Sequence, residues 1–549
     1  MKITLYGGVA EVGGNKILVE DNKTRILLDF GISMGYESNY FSEFLQPRGN
    51  ICALRDRLEI GALPKIDGIY RQDLITPKGI QDINTTAYQR LIGPQHRYLK
   101  SCVQSHETYL KNNGEPFLDG IFLSHAHLDH VGCIKFLHFS IPLYCTKTTR
   151  QLIEAVDDVS SSAYSTQAIE GKDNALTYTK NGSLFPNSPK IDHPTETNRT
   201  TIEVSDKQTL QLNDLTITCL QQDHSVPGSC SFVVEDTKGK KLLYTGDIRF
   251  HGALPMTLDE YVDKVGGDID VMLCEGTRVD STKQLTETEV QQNITKEIQQ
   301  TEGLVLIDFS WKDTTRYETI KKAAYDAGRI FVINAKLAYL LHKLGFYPSN
   351  KDNVKVFLKR KGSGLYSPND YVYNKYEYGL TVDLKNDYDD SHYKNGISAE
   401  DIKENPQDYV IMMGYYDFNQ LFDLADDQGH LKESRYIKAQ CAPFNDDMEL
   451  DEERLISWLE KFHIHFDLDK TPLPEGCSMP SCPKLRQRIK RSHVSGHASQ
   501  QELQELITKI HPKILIPIHT MHPELFSKLI EGTDIELVNP QLDYCYDFS

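Results

Sequence analysis

The chain has 549 residues, 39% hydrophobic and 25% charged, the balance of a folded protein too long for one ordinary core, so two or three domains are expected. Its 60 basic residues stand against 78 acidic ones, a formal net charge of -18; such a field repels phosphate and excludes a protein that coats nucleic acid over its whole surface. No apolar run approaches the roughly 20 residues of a membrane helix, the eleven cysteines include no Cys-x-x-Cys pair, and Met1-Lys2-Ile3-Thr4-Leu5-Tyr6 lacks a signal peptide's apolar region, so a reducing cytoplasm is the expected location.

In chain order, Ile3-Thr4-Leu5, Lys16-Ile17-Leu18-Val19 and Arg25-Ile26-Leu27-Leu28-Asp29 read as short strands around Gly13-Gly14, closed by Gly31. Ser33 to Asn113 is aromatic and polar with weak helices and reads as an insertion. Ile121-Phe122-Leu123 is a strand that delivers Ser124-His125-Ala126-His127-Leu128-Asp129-His130, and a helix is expected onward through Ile134, Phe136 and Leu137. Histidines at i and i+2 in extended backbone turn toward one point, while Asp129 and His130 at a helix start face a second. That spacing suits two adjacent metal ions; imidazole favours zinc, and the carboxylate also admits manganese. A surface loop that merely happens to be His-rich would account for the histidines, but an aspartate between paired histidines after a buried strand has no packing rationale.

A second β-rich stretch runs from Leu215 to Gly252, with His224 and Asp247 after its strands. From Gly303 the texture becomes βαβ: a strand at Leu304-Val305-Leu306-Ile307, a helix from Thr315 to Ala327 ended by Gly328, and a strand at Arg329 to Ile333, which predicts a parallel sheet. Tyr366, Tyr371, Tyr373, Tyr376 and Tyr378 lie in an irregular excursion and suit base stacking, or equally packing on a sheet or a homo-oligomer contact. Two basic runs, Lys359-Arg360-Lys361 and Lys484, Arg486, Arg488, Lys490 and Arg491, can each neutralise a short backbone segment or form a solvated helix face. Cys477 and Cys482 lack a matching second pair, and all cysteines are read as structural. Ser499 and Glu502 form a capping box before a helix marked by Leu503, Leu506, Ile507 and Ile510. Ile514-Leu515-Ile516-Pro517-Ile518 is then a strand with an edge position or irregularity at Pro517, followed by His519.

Two ions need ligands from several strand ends, and His224, Asp247 and His519 qualify. A carboxylate with two oxygens is the natural bridge, which singles out Asp247. Asp29 orients a metal-binding histidine from behind. His251 and His193 lie in turns or polar loops, and His522 is a minor rival to His519.

Asp29, the His125 to His130 stretch, His224 and Asp247 together resemble the metallo-β-lactamase fold, an α/β four-layer αββα sandwich whose hydrolases hold one or two metals. Cys274-Glu275-Gly276-Thr277, His493-Val494-Ser495-Gly496-His497 and Pro517-Ile518-His519-Thr520 resemble the three added motifs of the β-CASP nucleases, most closely RNase J and its uncharacterised relatives. The resemblance implies a lactamase domain over 1–285, an inserted β-CASP domain with a mainly parallel sheet over 286–485, and a returning part over 486–549. It implies two Zn²⁺, or Mn²⁺: one on His125, His127 and His224, the other on Asp129, His130 and His519, with Asp247 shared.

The activity implied is a ribonuclease, exo- or endo-acting, in which a hydroxide generated by two metals attacks an RNA phosphodiester. His497 would stabilise charge and protonate the departing ribose oxygen, Glu275 would hold a histidine, and Asp247 would join them as catalytic. Ser495 and Gly496 offer donors to a phosphate, or form an ordinary turn, with His493 and Arg491 completing the substrate-binding set. A DNA nuclease of the same architecture is the rival, and His519, where the DNA-repair branch carries valine, favours RNA. A catalytically dead RNA-binding subunit and a small-molecule hydrolase of the same fold compete more weakly: every expected ligand is present, and the second would leave the insertion and His497 without a purpose.

Overall fold

The computed structural model describes the chain apart from residues 43–44, 50–51, 77–92, 160–164, 173–175, 179–183, 187–195, 254–255, 283–284, 347–352, 360–395, 444–445, 470–487 and 549. The tyrosine-rich excursion, His193, Cys477, Cys482, Arg360, Lys361, Lys484 and Arg486 therefore lie outside the described residues.

Two seven-stranded sheets carry the two β-rich stretches of sequence. In the first, the antiparallel ribbon Cys545–Asp547, Lys2–Leu5, Lys16–Asp21 and Thr24–Phe30 continues into the parallel strands Gly120–Phe122, Leu143–Thr146 and Thr201–Val204. In the second, Thr209–Leu212, Leu215–Gln221, Cys230–Glu235 and Lys241–Tyr244 run antiparallel, and Val271–Glu275, Ile514–Ile518 and Glu536–Leu537 extend it in parallel. From Leu215 to Cys219 the strand Leu215–Gln221 alternates buried and half-buried positions, as a strand with one covered face does.

The sheets bury their facing sides on each other: Ile3, Leu5, Val19, Leu28 and Phe122 meet Ile217, Phe232, Val234, Leu242 and Leu273. Helices close both outer sides. Leu54, Leu58, Leu99, Leu152 and Ile153 pack on Leu27 and Ile121, while Tyr261, Leu503, Leu506 and Ile507 pack on Leu243, Met272 and Leu515. The result is the α/β/β/α layering that the resemblance implies. Each such Leu or Ile contributes on the order of 1.5–3 kcal/mol by leaving water.

A third sheet, all parallel, has six strands in the order Gly396–Ile397, Val354–Phe357, Ile330–Ile333, Tyr409–Met412, Val305–Asp308 and Arg435–Lys438. Its central strands Ile330–Ile333 and Tyr409–Met412 are almost wholly apolar because helices cover both faces. In sequence it falls between Val271–Glu275 and Ile514–Ile518, which lie side by side in the second sheet with Glu275 opposite Ile518.

Two local expectations change. The helix through Leu137 is instead one turn, Leu128–Val131, then a 3-10 turn, Ile134–Phe136, because the Cys133 N–H bonds to the Phe30 carbonyl at 3.0 Å rather than continuing the helix. Pro517 lies in an interior strand. The neighbouring strand pairs only as far as Leu515, so the N–H that proline lacks would have had no acceptor there.

Candidate metal centre

The pairing registers bring the chemistry to one place. Leu28 lies beside Phe122 in the first sheet, so Asp29 and the Ser124 to His130 loop leave the same edge. Tyr244 lies beside Leu273 and Glu275 beside Ile518 in the second sheet, so Asp247, Glu275 and His519 leave the facing edge. Asp29 and His519 adopt left-handed backbone, with φ of 58° and 52°, turning sharply at the strand ends.

The side chains converge in two groups that share Asp247: His125, His127, His224 and Asp247, and Asp129, His130, Asp247 and His519. In the first, His127 Nδ1 stands 3.1 Å from both His125 Nε2 and His224 Nε2. Nitrogens each about 2.0 Å from one tetrahedral zinc are separated by roughly 3.3 Å, close to this spacing. In the second, His519 Nε2 lies 3.3 Å from both Asp129 Oδ2 and His130 Nε2. Asp247 Oδ2 is 3.3 Å from His130 Nε2, 3.5 Å from His125 Nε2 and 3.6 Å from His224 Nε2, and its Oδ1 is 3.5 Å from His519 Nε2. Both Asp247 oxygens are buried without a hydrogen bond. Such a carboxylate is costly unless cations complete it, so the donor set fits divalent metal ions.

The imidazoles are oriented from behind. His130 Nδ1–H donates to Asp29 Oδ2 at 2.7 Å, His224 Nδ1–H to the Gly496 carbonyl at 2.6 Å, His519 Nδ1 pairs with Thr277 Oγ1 at 2.8 Å, and His125 Nδ1 with Ser124 Oγ at 3.0 Å. Each bond leaves Nε2 facing the shared centre. Asp29 is fixed in turn by Ser124 N–H and Oγ–H, both at 2.7 Å, and by the Tyr244 hydroxyl. Gly496 is required here because a Cβ would fall 2.8 Å from Ser225 Oγ and 3.0 Å from His224 Cε1.

Electrostatics divide the histidines. Burial and neighbouring imidazoles hold His125 and His127 well below the usual range. Burial likewise brings His224 down to about 3, which Asp247 only partly opposes. For His130 and His519 burial also disfavours charge but the carboxylates win: Asp247, Asp129 and Asp29 raise His130 well above its ordinary value, and Asp247 with Asp129 raises His519 to about 9. Burial would raise Asp247 and Asp129, yet the surrounding histidines, led by His130, hold both carboxyls below the carboxylate range.

A third group adjoins: Glu275, His497 and His519. Glu275 is buried, and its Oε1 accepts from His497 Nδ1–H at 3.2 Å. His497 and Asp129 are 19% and 21% exposed at the side chain whereas Asp247 is 1% exposed, so the centre opens on their side.

The structure does not bring every candidate to this opening. Arg491 is bonded to Glu452 at 2.8 and 3.0 Å. His493 is held by the Ala439 carbonyl at 3.3 Å, and burial beside Arg316 brings it down to about 3. The Ser495 carbonyl is taken by Arg249 at 3.2 Å and His251 at 3.0 Å, while Ser495 Oγ accepts from His497 N–H at 3.1 Å. His522 pairs with Glu524 at 3.1 Å, outside the cluster. Sequence reasoning gave no role to Thr277, Ser124 or Tyr244; the first two lie inside recognised motifs, while Tyr244 had no signal beyond a strand position.

Residues 102–301 match the Beta-lactamase superfamily domain, and residues 483–540 match the Zn-dependent metallo-hydrolase RNA specificity domain. With the αββα layers, these matches give the chain a metallo-β-lactamase superfamily domain and a Zn-dependent metallo-hydrolase RNA specificity domain, consistent with a metal-dependent hydrolase of β-CASP type. Over 157 residues it is 27% identical to a transcription termination factor, FttA, of Thermococcus kodakarensis, covering 28% of this chain and 15% of that protein. Over 282 residues it is 22% identical to the probable RNase MJ4 of Methanocaldococcus jannaschii, covering 50% of this chain and 45% of that one. The chain thus spans less than half the length of either curated relative. A crystal structure of a protein of unknown function from Enterococcus faecalis V583 shares the fold over 99% of both chains, with a TM-score of 0.63 at 18% identity.

Proposed function

We propose that the chain is a metal-dependent ribonuclease that hydrolyses RNA phosphodiester bonds at the Asp247 cluster, with two Zn²⁺ or two Mn²⁺ as cofactors. The observation that carries this reading is the buried carboxylate of Asp247, free of hydrogen bonds between two sets of inward-facing imidazoles. A divalent pair bound there would supply Lewis acidity and activate water at neutral pH.

The protein's own groups do the rest. Asp29, Gly496 and Thr277 fix the tautomers of His130, His224 and His519. Glu275 holds His497 by Nδ1, leaving Nε2 toward the opening to protonate the departing ribose oxygen. The match of the returning segment to an RNA specificity domain, the naming of one relative as a probable RNase, and His519 in the third motif support RNA over DNA. The boundaries proposed are 1–285 and 486–549 for the lactamase part and 286–485 for the insertion. Among the described residues every cysteine is free, which supports the cytoplasmic reading; no described helix is long and apolar enough to cross a membrane.

The test is incubation of the purified chain with 5′-phosphorylated, 5′-hydroxyl and circular RNAs and matching single-stranded DNAs, with Zn²⁺ or Mn²⁺, beside Asp247→Ala. Metal-dependent cleavage of RNA that Asp247→Ala abolishes is expected. Intact polymers throughout, or cleavage that survives the substitution, contradicts the reading. Loss of linear but not circular RNA identifies exonuclease action.

A further inference from the structure

The ligands that belong to the second group alone, Asp129, His130 and His519, share one support. His519 N–H donates to the Gly8 carbonyl at 2.8 Å. A Cβ on Gly13 would fall 2.5 Å from Asp129 Oδ2, so the backbone there lies directly against that carboxylate. Asn15 Nδ2–H donates to the Tyr244 hydroxyl at 2.9 Å, and Tyr244 donates in turn to Asp29, which orients His130. Gly8, Gly13 and Asn15 all lie in the turn between the strands Lys2–Leu5 and Lys16–Asp21. The first group is anchored elsewhere: His224 by the Gly496 carbonyl at 2.6 Å and His125 by Ser124 Oγ at 3.0 Å.

One side chain ties that turn together. Glu11 Oε1 accepts from Gly8 N–H and from Ser33 Oγ–H, each at 3.1 Å. Ser33 Oγ accepts from the buried Lys16 Nζ at 3.0 Å, and the same ammonium donates to the Gly14 carbonyl at 3.1 Å. A turn containing Gly7, Gly8, Gly13 and Gly14 has a large conformational freedom to lose, so its side-chain ties decide its shape. The Gly8 carbonyl that holds His519 is one bond network away from Glu11. Glu11 Oε2 is buried without a hydrogen bond, which costs stability and argues for a task other than stability.

Resting on the two-metal reading of the cluster, we infer that Glu11 is a positioning residue for the second ion: it holds the turn from Gly8 to Asn15 in the shape that fixes His519 and Asp129. In the sequence Glu11 carries no signal, because its partners Gly8 and Ser33 meet it only once the first two strands and the turn after Phe30 are folded.

The test uses the full chain with Glu11→Ala and Glu11→Gln, freed of metal by dialysis and titrated with Zn²⁺ against a chelating dye. Glu11→Ala is expected to bind one of the two ions about ten-fold more weakly and the other as before. Glu11→Gln, whose side-chain carbonyl can accept the same two hydrogen bonds, should restore the weakened ion. Anomalous diffraction from crystals grown at limiting zinc should then show the lower occupancy in Glu11→Ala beside Asp129, His130 and His519, with the position beside His125, His127 and His224 unchanged. Equal affinities in all three chains overturn the inference, as do parallel losses of both ions or a Glu11→Gln chain as weak as Glu11→Ala. If circular dichroism shows Glu11→Ala unfolded, Ser33→Ala, which removes one of the two donors to Oε1, is judged by the same selective loss. If the unsubstituted chain binds a single ion, the two-metal reading falls, and the inference then stands or falls on whether Glu11→Ala weakens that ion.

Discussion

Asp29 and Asp247 are both buried carboxylates at strand ends, and their surroundings assign them opposite tasks. Asp29 accepts from Ser124 N–H and Oγ–H, His130 Nδ1–H and Tyr244 O–H, so it is already satisfied; Asp247 accepts no hydrogen bond. Asp247→Asn is expected to abolish binding of the shared ions, read as metal per chain after dialysis. Asp29→Asn should weaken metal affinity by about 10–100-fold with both ions still bound at saturation, read by competition with a chelating dye. A titrating group outside the cluster makes a separate prediction. His493 has a folded pKa of about 3, lowered by burial and by Arg316, against roughly 6.5 unfolded. Between those values the unfolded chain binds a proton that the folded chain refuses, so stability falls as pH drops from about 6.5 toward 3 and is unaffected by this group above 6.5. Denaturant midpoints of His493→Gln should fall less steeply from pH 7 to pH 5 than those of the unsubstituted chain; equal slopes would contradict the assignment.

At the scale of elements, the metal loop is seated on backbone that admits no side chain. A Cβ on Gly31 would fall 1.7 Å from the Asp129 carbonyl oxygen, and one on Gly13, at φ 84°, would fall 2.5 Å from Asp129 Oδ2. Gly13→Ala should displace the Asp129 carboxylate and weaken metal binding at least ten-fold, measured by calorimetry with Zn²⁺. Beneath the loop, Arg199 donates to five carbonyls, of Ala168, His138, Ile141, Ile134 and Leu137, at 2.7–3.3 Å. Burial without an anion lowers it to about 9. Arg199→Met would orphan those carbonyls and is expected to cost about 3 kcal/mol of stability in urea unfolding.

How legible these features were depends on how local their causes are. The strands, and the candidates His125 to His130, His224, Asp247 and His519 that the fold gathers into one cluster, were readable because a polar residue at the end of an apolar run is a local signal. The broken helix after Val131 was not, because Phe30 and Arg199 capture its backbone from afar. Nor was the commitment of Arg491 to Glu452, which converts one member of a basic run into an internal ion pair.

At the scale of the whole molecule, the facing edges of the first two sheets converge on one centre. Adjacent strands Val271–Glu275 and Ile514–Ile518 carry Glu275 and His519, and the third sheet is inserted between them in sequence. The net charge of -18 disfavours general nucleic-acid binding, so under the proposed function recognition falls to local cations and metals. The central claim is that two ions share Asp247, and anomalous diffraction from zinc-loaded crystals tests it most directly. The account predicts two peaks about 4 Å apart on either side of the Asp247 carboxylate; a single peak, or two that do not both contact Asp247, would contradict it.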